Sequence, residues 1–153
     1  MGTHYKGTIE EVRALNTYIK LTRAVNTIEA ELARSLAEVG LTVSQFGTLE
    51  ALYHLGPLCQ GEIGLKILKS SGNMTMVIDN LEKRGYVRRE RDPDDRRQVI
   101  VSLTGEGEAL MKGYFPEHLQ VIVGLLNVIS PGDQEQLAEL CKTLGTAQPA
   151  LEM

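Results

Sequence analysis

Cysteine is nearly absent. Cys59 and Cys141 are the two in 153 residues, too few for a disulfide framework and too isolated for a zinc cluster. Reduced thiols are the default expectation. Long apolar runs are missing as well: the best, Val121 to Ile129, is interrupted by Gly124 and Asn127, whereas a membrane-spanning helix needs about 20 apolar residues. The chain opens Met1-Gly2-Thr3-His4-Tyr5-Lys6, with no apolar signal region and with Lys6 where a myristoylation motif wants Ser or Thr. A cytoplasmic protein without membrane attachment is expected. His4, His54 and His118 are scattered, with no metal-ligand spacing and no glycine-rich phosphate loop nearby, so neither an enzyme, a metal nor a cofactor is expected. Glu117-His118 could join a metal site in a dimer, but a satisfied surface histidine is the preferred reading. Internal repeats and low-complexity segments are also lacking.

What is present suits one packed domain. The chain is 42% hydrophobic and 24% charged, close to the globular average, and its length fits a single core. The net charge of −4 argues at first against nucleic acid, because DNA binders gain affinity by neutralising phosphates. The distribution argues otherwise. Between Lys83 and Arg97 stand seven basic residues (Lys83, Arg84, Arg88, Arg89, Arg91, Arg96, Arg97) and four acidic ones (Glu90, Asp92, Asp94, Asp95). A basic segment on an acidic body can orient a protein on a polyanion; a solvated charged face is the alternative.

Periodicity predicts a long first helix from Thr8 to Glu38, with Tyr18, Leu21, Val25, Ile28 and Leu32 at spacings of 3 and 4 and no Gly or Pro inside. Such a helix outruns a small core, so it either crosses the domain or packs on a second subunit. Thr42 and Gln45 form a capping box flanked by Leu41 and Phe46, opening a second helix that Gly56-Pro57 stops. A third helix, Gln60 to Leu68, ends at a Lys69-Ser70-Ser71-Gly72 turn, and Ser70 or Ser71 caps a fourth through Arg84, buried along Met74, Val77, Ile78 and Leu81. The period then changes to that of a two-stranded hairpin: Tyr86 to Arg91, a turn at Asp92-Pro93-Asp94-Asp95, and Gln98 to Leu103. Thr104 caps a fifth helix, which Pro116 should kink or divide. Ser130-Pro131 starts the last, amphipathic along Leu137, Leu140, Cys141 and Leu144 and closed by Gly145; Cys141 is expected in the core.

Two short helices joined by a tight turn and followed by a basic hairpin make a winged helix-turn-helix, whose second helix is shaped to enter the major groove. The fold class expected is mainly α with a small two-stranded β wing. Asn73, Met76, Asn80 and Lys83 fall opposite the buried face, with Ser70, Ser71 and Thr75 near the end that would approach phosphate.

These residues resemble the MarR family of bacterial transcription regulators. The matching stretches are Leu41-Thr42-Val43-Ser44-Gln45-Phe46, Ser71-Gly72-Asn73-Met74-Thr75, Asp79-Asn80-Leu81-Glu82-Lys83-Arg84-Gly85-Tyr86-Val87, Asp92-Pro93-Asp94-Asp95-Arg96-Arg97 and Val101-Ser102-Leu103-Thr104. The wing motif is specific, while the flanking helices match only in pattern. The resemblance implies a DNA-binding lobe over 42–104, a helical dimerisation lobe over 8–38 and 105–145, and a homodimer on double-stranded DNA. It implies that Arg97 enters the minor groove, oriented by Asp95, with Arg91 and Arg96 beside it; a narrow minor groove concentrates negative potential and draws Arg in. The alternative is a surface pair that merely closes the turn. Met76 and Asn80 depart from the family pattern, which often has Arg there. Thymine-methyl contact by Met76 and adenine contact by Asn80 become available instead, with packing as the alternative for Met76.

Asn73-Met74-Thr75 followed by Val77-Ile78-Asp79 is also similar to a subgroup responding to quinones and phenols. A repressor released by a small phenolic or quinone-like effector is thus expected, with Tyr18, Tyr53, Tyr114 and His118 as candidate pocket residues and core packing as the alternative for each. Cys59 stands where the third helix's N-cap belongs, and a thiol there can oxidise readily. It is read as passive, with a redox or electrophile-sensing regulator acting through Cys59 as the alternative function. A winged helix binding protein or RNA would be favoured by a wing without basic residues, and this wing is basic.

Overall fold

Side-chain caps set the helix starts. The computed structural model describes residues 2–67 and 71–147. Helix α1 (Ile9–Ala37) begins where the Thr8 hydroxyl accepts from the Glu11 N–H and the Glu11 carboxylate accepts from the Thr8 N–H. Helix α2 (Val43–Leu55) repeats the device with Thr42 and Gln45, and Leu41 and Phe46 on either side of the box are both buried. Strand β1 (Leu58–Cys59) leads into α3 (Gln60–Ile67), and α4 is Ser71–Lys83. Strands β2 (Val87–Arg91) and β3 (Val99–Leu103) form the wing, followed by α5 (Gly105–Leu126) and α6 (Pro131–Thr146). Glycine stops α4 for a conformational reason. Gly85 has φ 79°, and around it the Gly85 and Tyr86 N–H groups donate back to the Glu82 and Leu81 carbonyls, which closes the helix end.

Several expectations change. The sheet has three strands in the order β1-β3-β2, because Leu58 and Cys59 pair antiparallel with Val101 and Ile100; two residues are too few to show a period of two. Helix α5 runs through Pro116 undivided. Pro116 and Lys112 are both exposed, so the carbonyl left without a donor can face water. Ser71 and Gly72 belong to α4 rather than to a turn, and Ser70, the other candidate cap, lies outside the described residues. Cys141 is exposed, α6 has no buried residue at all, and Gly145 lies inside α6, which runs on to Thr146, rather than closing it.

The core is centred on α2, α3, α4 and the wing. Leu49, Ile63, Met74, Ile78, Leu81 and Val101 are fully buried there, each worth about 1.5–3 kcal/mol of burial. Leu36 from α1 and Met111 and Tyr114 from α5 join the same cluster. Where β3 meets α5, a single residue makes the connection. Thr104 donates its N–H to the Tyr86 carbonyl and its hydroxyl proton to the Gly85 carbonyl, and its oxygen accepts from the Gly107 N–H. Gly107 lies so close beneath that a Cβ on it would run into the Tyr86 carbonyl oxygen. Away from the core, apolar side chains stay exposed in stripes: Tyr18, Leu21 and Val25 on α1, Leu119 and Val123 on α5, and Leu137, Leu140 and Leu144 on α6.

Candidate nucleic-acid interface

Helix α4 has two unlike faces. Met74, Ile78 and Leu81 are fully buried, while Asn73, Thr75, Met76, Asn80 and Lys83 are exposed, as the 3.6-residue period requires. Met76 is 71% exposed, so its side chain is not packed into the core of its own chain. Thr75 accepts a hydrogen bond from the Gln60 side chain at 2.9 Å, which ties α3 to α4. A groove of about 420 Å³ runs between the start of α2 and this face, lined by Thr42, Ser44, Gln45, Asn73, Met76, Val77 and Asn80. Of the proposed contact residues, Ser70 lies outside the described residues, and Ser71 is the first residue of α4.

The wing loop is braced from within. Asp92 accepts from the Asp94 N–H and donates its own N–H to the Gln98 carbonyl, while Gln98 donates to the Asp95 carbonyl. Arg91 reaches across to the Arg96 carbonyl at 2.8 Å. Arg97 donates to Asp95 three times, from its backbone N–H at 3.1 Å, from Nε at 3.0 Å and from Nη2 at 3.3 Å, yet its side chain remains 91% exposed. Those Arg97 bonds, from the side chain first and the backbone second, hold the Asp95 carboxyl below the usual carboxylate value. A long cation is thus aimed without being covered.

Sequence reasoning passed over the residue that fixes wing and helix to one another. Arg89 on β2 donates from Nη2 to Asp79 at 2.6 Å and to Glu82 at 2.9 Å, and its backbone N–H also donates to Glu82. The Arg89 bonds hold the Glu82 carboxyl below its ordinary value despite its neighbour Asp79. The i, i+3 spacing of Asp79 and Glu82 on α4 was a signal for such a clamp. Its partner could not be read, since it depends on how the hairpin packs.

The four candidate pocket residues divide. Tyr114 is buried, and its hydroxyl shares a 2.6 Å hydrogen bond with the Ser35 hydroxyl of α1. His118 is buried too, which corrects its reading as a surface histidine: its ring lies 4.1 Å from Phe46 and within 6.3 Å of Tyr114, and Nδ1 has no hydrogen-bond partner. Burial pushes the His118 imidazole below the ordinary histidine value, and Glu50 pulls weakly the other way. Tyr53 reaches this cluster through Phe115 and lines a separate groove of about 310 Å³ with Arg88, Ser102 and Glu108. Tyr18 is 65% exposed on the α1 stripe, and among the described residues no ring contact joins it to the others. Half-buried Cys59 lines a groove of about 600 Å³ with Arg97 and Gln98, and its backbone N–H donates to the Glu62 carboxylate at 2.9 Å.

Among the described residues no group of His, Cys, Asp and Glu could hold a metal ion, and no helix is long and apolar enough to cross a membrane. Comparison with known proteins gives a consistent assignment. The sequence profile of the MarR family matches residues 41–99. YkoM of Bacillus subtilis, an uncharacterized HTH-type transcriptional regulator, is 39% identical over 89% of this chain and 89% of its own length. The HTH-type transcriptional regulator MhqR of the same organism is 34% identical over 87% of this chain and 92% of its own. In structure, Sco3205, a MarR family transcriptional regulator from Streptomyces coelicolor solved in complex with DNA, superposes with a TM-score of 0.84 at 23% identity, covering 97% of this chain and 95% of that one. With the helix order, the wing and this likeness extending through the flanking helices, the chain belongs to the MarR family of transcriptional regulators.

Proposed function

We propose that this regulator binds a pseudopalindromic DNA operator as a homodimer, represses by occupying it, and leaves it when a small effector binds. The observation that carries the DNA reading is the pairing of an exposed polar face on α4 with an uncovered Arg97 that Asp95 aims from the wing. A helix face of that kind reads base edges, and a held cation suits a narrow minor groove. The exposed stripes on α1, α5 and α6 support the dimer, because they repeat at the 3- and 4-residue spacing that packs helix on helix. Two copies related by a two-fold axis would present two α4 helices to half-sites about one helical turn apart.

The effector reading rests on the aromatic cluster between α2 and α5. Tyr53, Tyr114 and His118 there offer rings and a polar nitrogen of the kind a phenol or quinone would meet, and Tyr18 would join them only through a subunit interface. Release by 100-fold needs about 2.7 kcal/mol of tighter effector binding to the DNA-free form. At Cys59 the Glu62 carboxylate is bonded to the backbone N–H and not to the thiol, so this bond adds nothing to a thiol switch, and release by a reversible effector is the reading taken.

Retention of duplex DNA over a salt series tests the central claim. Arg97→Ala should weaken binding to every duplex, lower the salt slope by about one phosphate contact per subunit, and leave the preferred sequence nearly unchanged. A wild-type protein that retains no duplex at low salt would end the DNA reading.

A further inference from the structure

Asn80 does not choose its own orientation. At the start of α2 the Thr42 backbone N–H donates to Gln45 Oε1 at 3.0 Å. A backbone amide can only donate, so the end of the Gln45 amide that faces it must be the oxygen; turned over, the side chain would set two donors against each other. That leaves Gln45 Nε2 pointing the other way, where it donates to Asn80 Oδ1 at 2.9 Å. The same logic applies a second time. Because Nε2 is a donor, the part of Asn80 that meets it must be the carbonyl oxygen, and the planar amide then carries its NH2 on the side away from Gln45. Asn80 is exposed on the outer face of α4, at the groove that it shares with Gln45 and Met76. The polarity of one main-chain group is relayed through two side chains to the surface of the recognition helix.

We infer that Gln45 is a positioning residue that makes Asn80 a donor to DNA, so that Asn80 selects guanine in each half-site. This rests on the DNA reading above and sharpens it. A free Asn prefers adenine, because it offers N–H to N7 and C=O to the N6 amino group at once. With its oxygen drawn to Gln45, Asn80 presents its amino group instead. Guanine is the base whose major-groove edge has two acceptors, N7 and O6, and no donor, whereas cytosine offers only a donor there.

Gln45→Glu separates this relay from a merely structural role. Glutamate can still accept from the Thr42 N–H, so the capping box survives. Its second oxygen, however, now faces Asn80 as an acceptor, and the Asn80 amide must turn over to donate to it. The outward group becomes C=O, which suits adenine N6 or cytosine N4. Gln45→Ala keeps neither polarity and should leave Asn80 free to turn. The experiment is selection from a randomised duplex library by the wild-type protein, Gln45→Glu, Gln45→Ala and Asn80→Ala, with melting by circular dichroism to confirm that each is folded. The wild type should select guanine at one position per half-site, by about tenfold over the other bases, and Asn80→Ala should lose that choice while keeping the rest. Gln45→Glu should exchange guanine for adenine or cytosine at that position alone, even if its added charge weakens binding to all sequences equally, and Gln45→Ala should relax the choice. A guanine preference retained by Gln45→Glu, an Asn80-dependent preference for adenine or cytosine in the wild type, or no change in Asn80→Ala would each overturn the relay while leaving DNA binding in place. A folded wild type that shows no sequence preference would instead overturn the proposed operator recognition, and the relay with it.

Discussion

Arg89→Met should expose how much the wing depends on one cation. The guanidinium bridges Asp79 and Glu82 on α4, and the Arg89, Asp79 and Glu82 side chains are 29%, 40% and 37% exposed. Water screens groups this open, so each pair is worth about 0.5–1 kcal/mol rather than the several of a buried pair, and loss of both should cost about 1–2 kcal/mol at pH 7. Methionine keeps most of the stem's packing, which confines the change to charge and hydrogen bonding. The cost should also depend on pH in a stated direction. Arg89 lowers the Glu82 carboxyl in the folded protein, so that part of the stability is complete above the unfolded value of about 4.3 and is lost as pH falls through the folded one. Urea unfolding of wild type and variant, at one fixed protomer concentration, should give a gap that is constant from pH 7 to about 5 and narrows toward pH 3. A gap that stays the same at low pH, or a variant as stable as wild type at pH 7, would refute the claim that this cluster braces the wing electrostatically.

His118→Leu removes a buried imidazole whose Nδ1 lacks a partner, so it should be neutral or stabilising by about 1–2 kcal/mol at pH 7. Because burial lowers the folded value, wild-type stability should fall as pH drops below about 6.5, and the variant should lose that part of the slope; equal slopes in calorimetric melts would contradict it. Leu140→Glu places a charge in the exposed α6 stripe, where Leu140 is 57% exposed. It should turn a sedimenting dimer into a folded monomer with unchanged helical content, while a dimer that persists would remove α6 from the interface.

How far the sequence could be read depended on how local each feature was. The caps at Thr8, Thr42, Thr104 and Ser130 bind within three residues, so their patterns stand in the sequence as written. The buried and exposed faces of α4 follow from a period. By contrast, β1 exists only because β3, some 40 residues later, offers it a ladder, and its two residues have no pattern of their own. The burial of His118 depends on Phe46 coming from another helix, and a lone histidine gives no sign of that. In the candidate interface, the Asp95–Arg97 pair was legible because the two stand two positions apart in a motif that resembles the family's wing. The Gln45–Asn80 bond spans 35 positions, and Gln45 already had a sufficient role in its cap. The exposure of Cys141 shows the same limit from the other side, since an apolar stripe says that a face will be covered but not by which chain.

The single-residue passage from β3 to α5 leaves no slack for the helix to swing alone. Thr104 is bonded to the carbonyls of Gly85 and Tyr86, in the link between α4 and β2, and the bare Cα of Gly107 lies close against the second of them. Helix α5 has 22 residues and is therefore a rod of about 33 Å, held at its first turn by these bonds and farther along by Met111, Tyr114 and His118, which are buried against the core. A tilt of about 5° would move its far end by about 3 Å, and the Thr104 bonds would pass part of that motion to the Gly85–Tyr86 link between α4 and the wing.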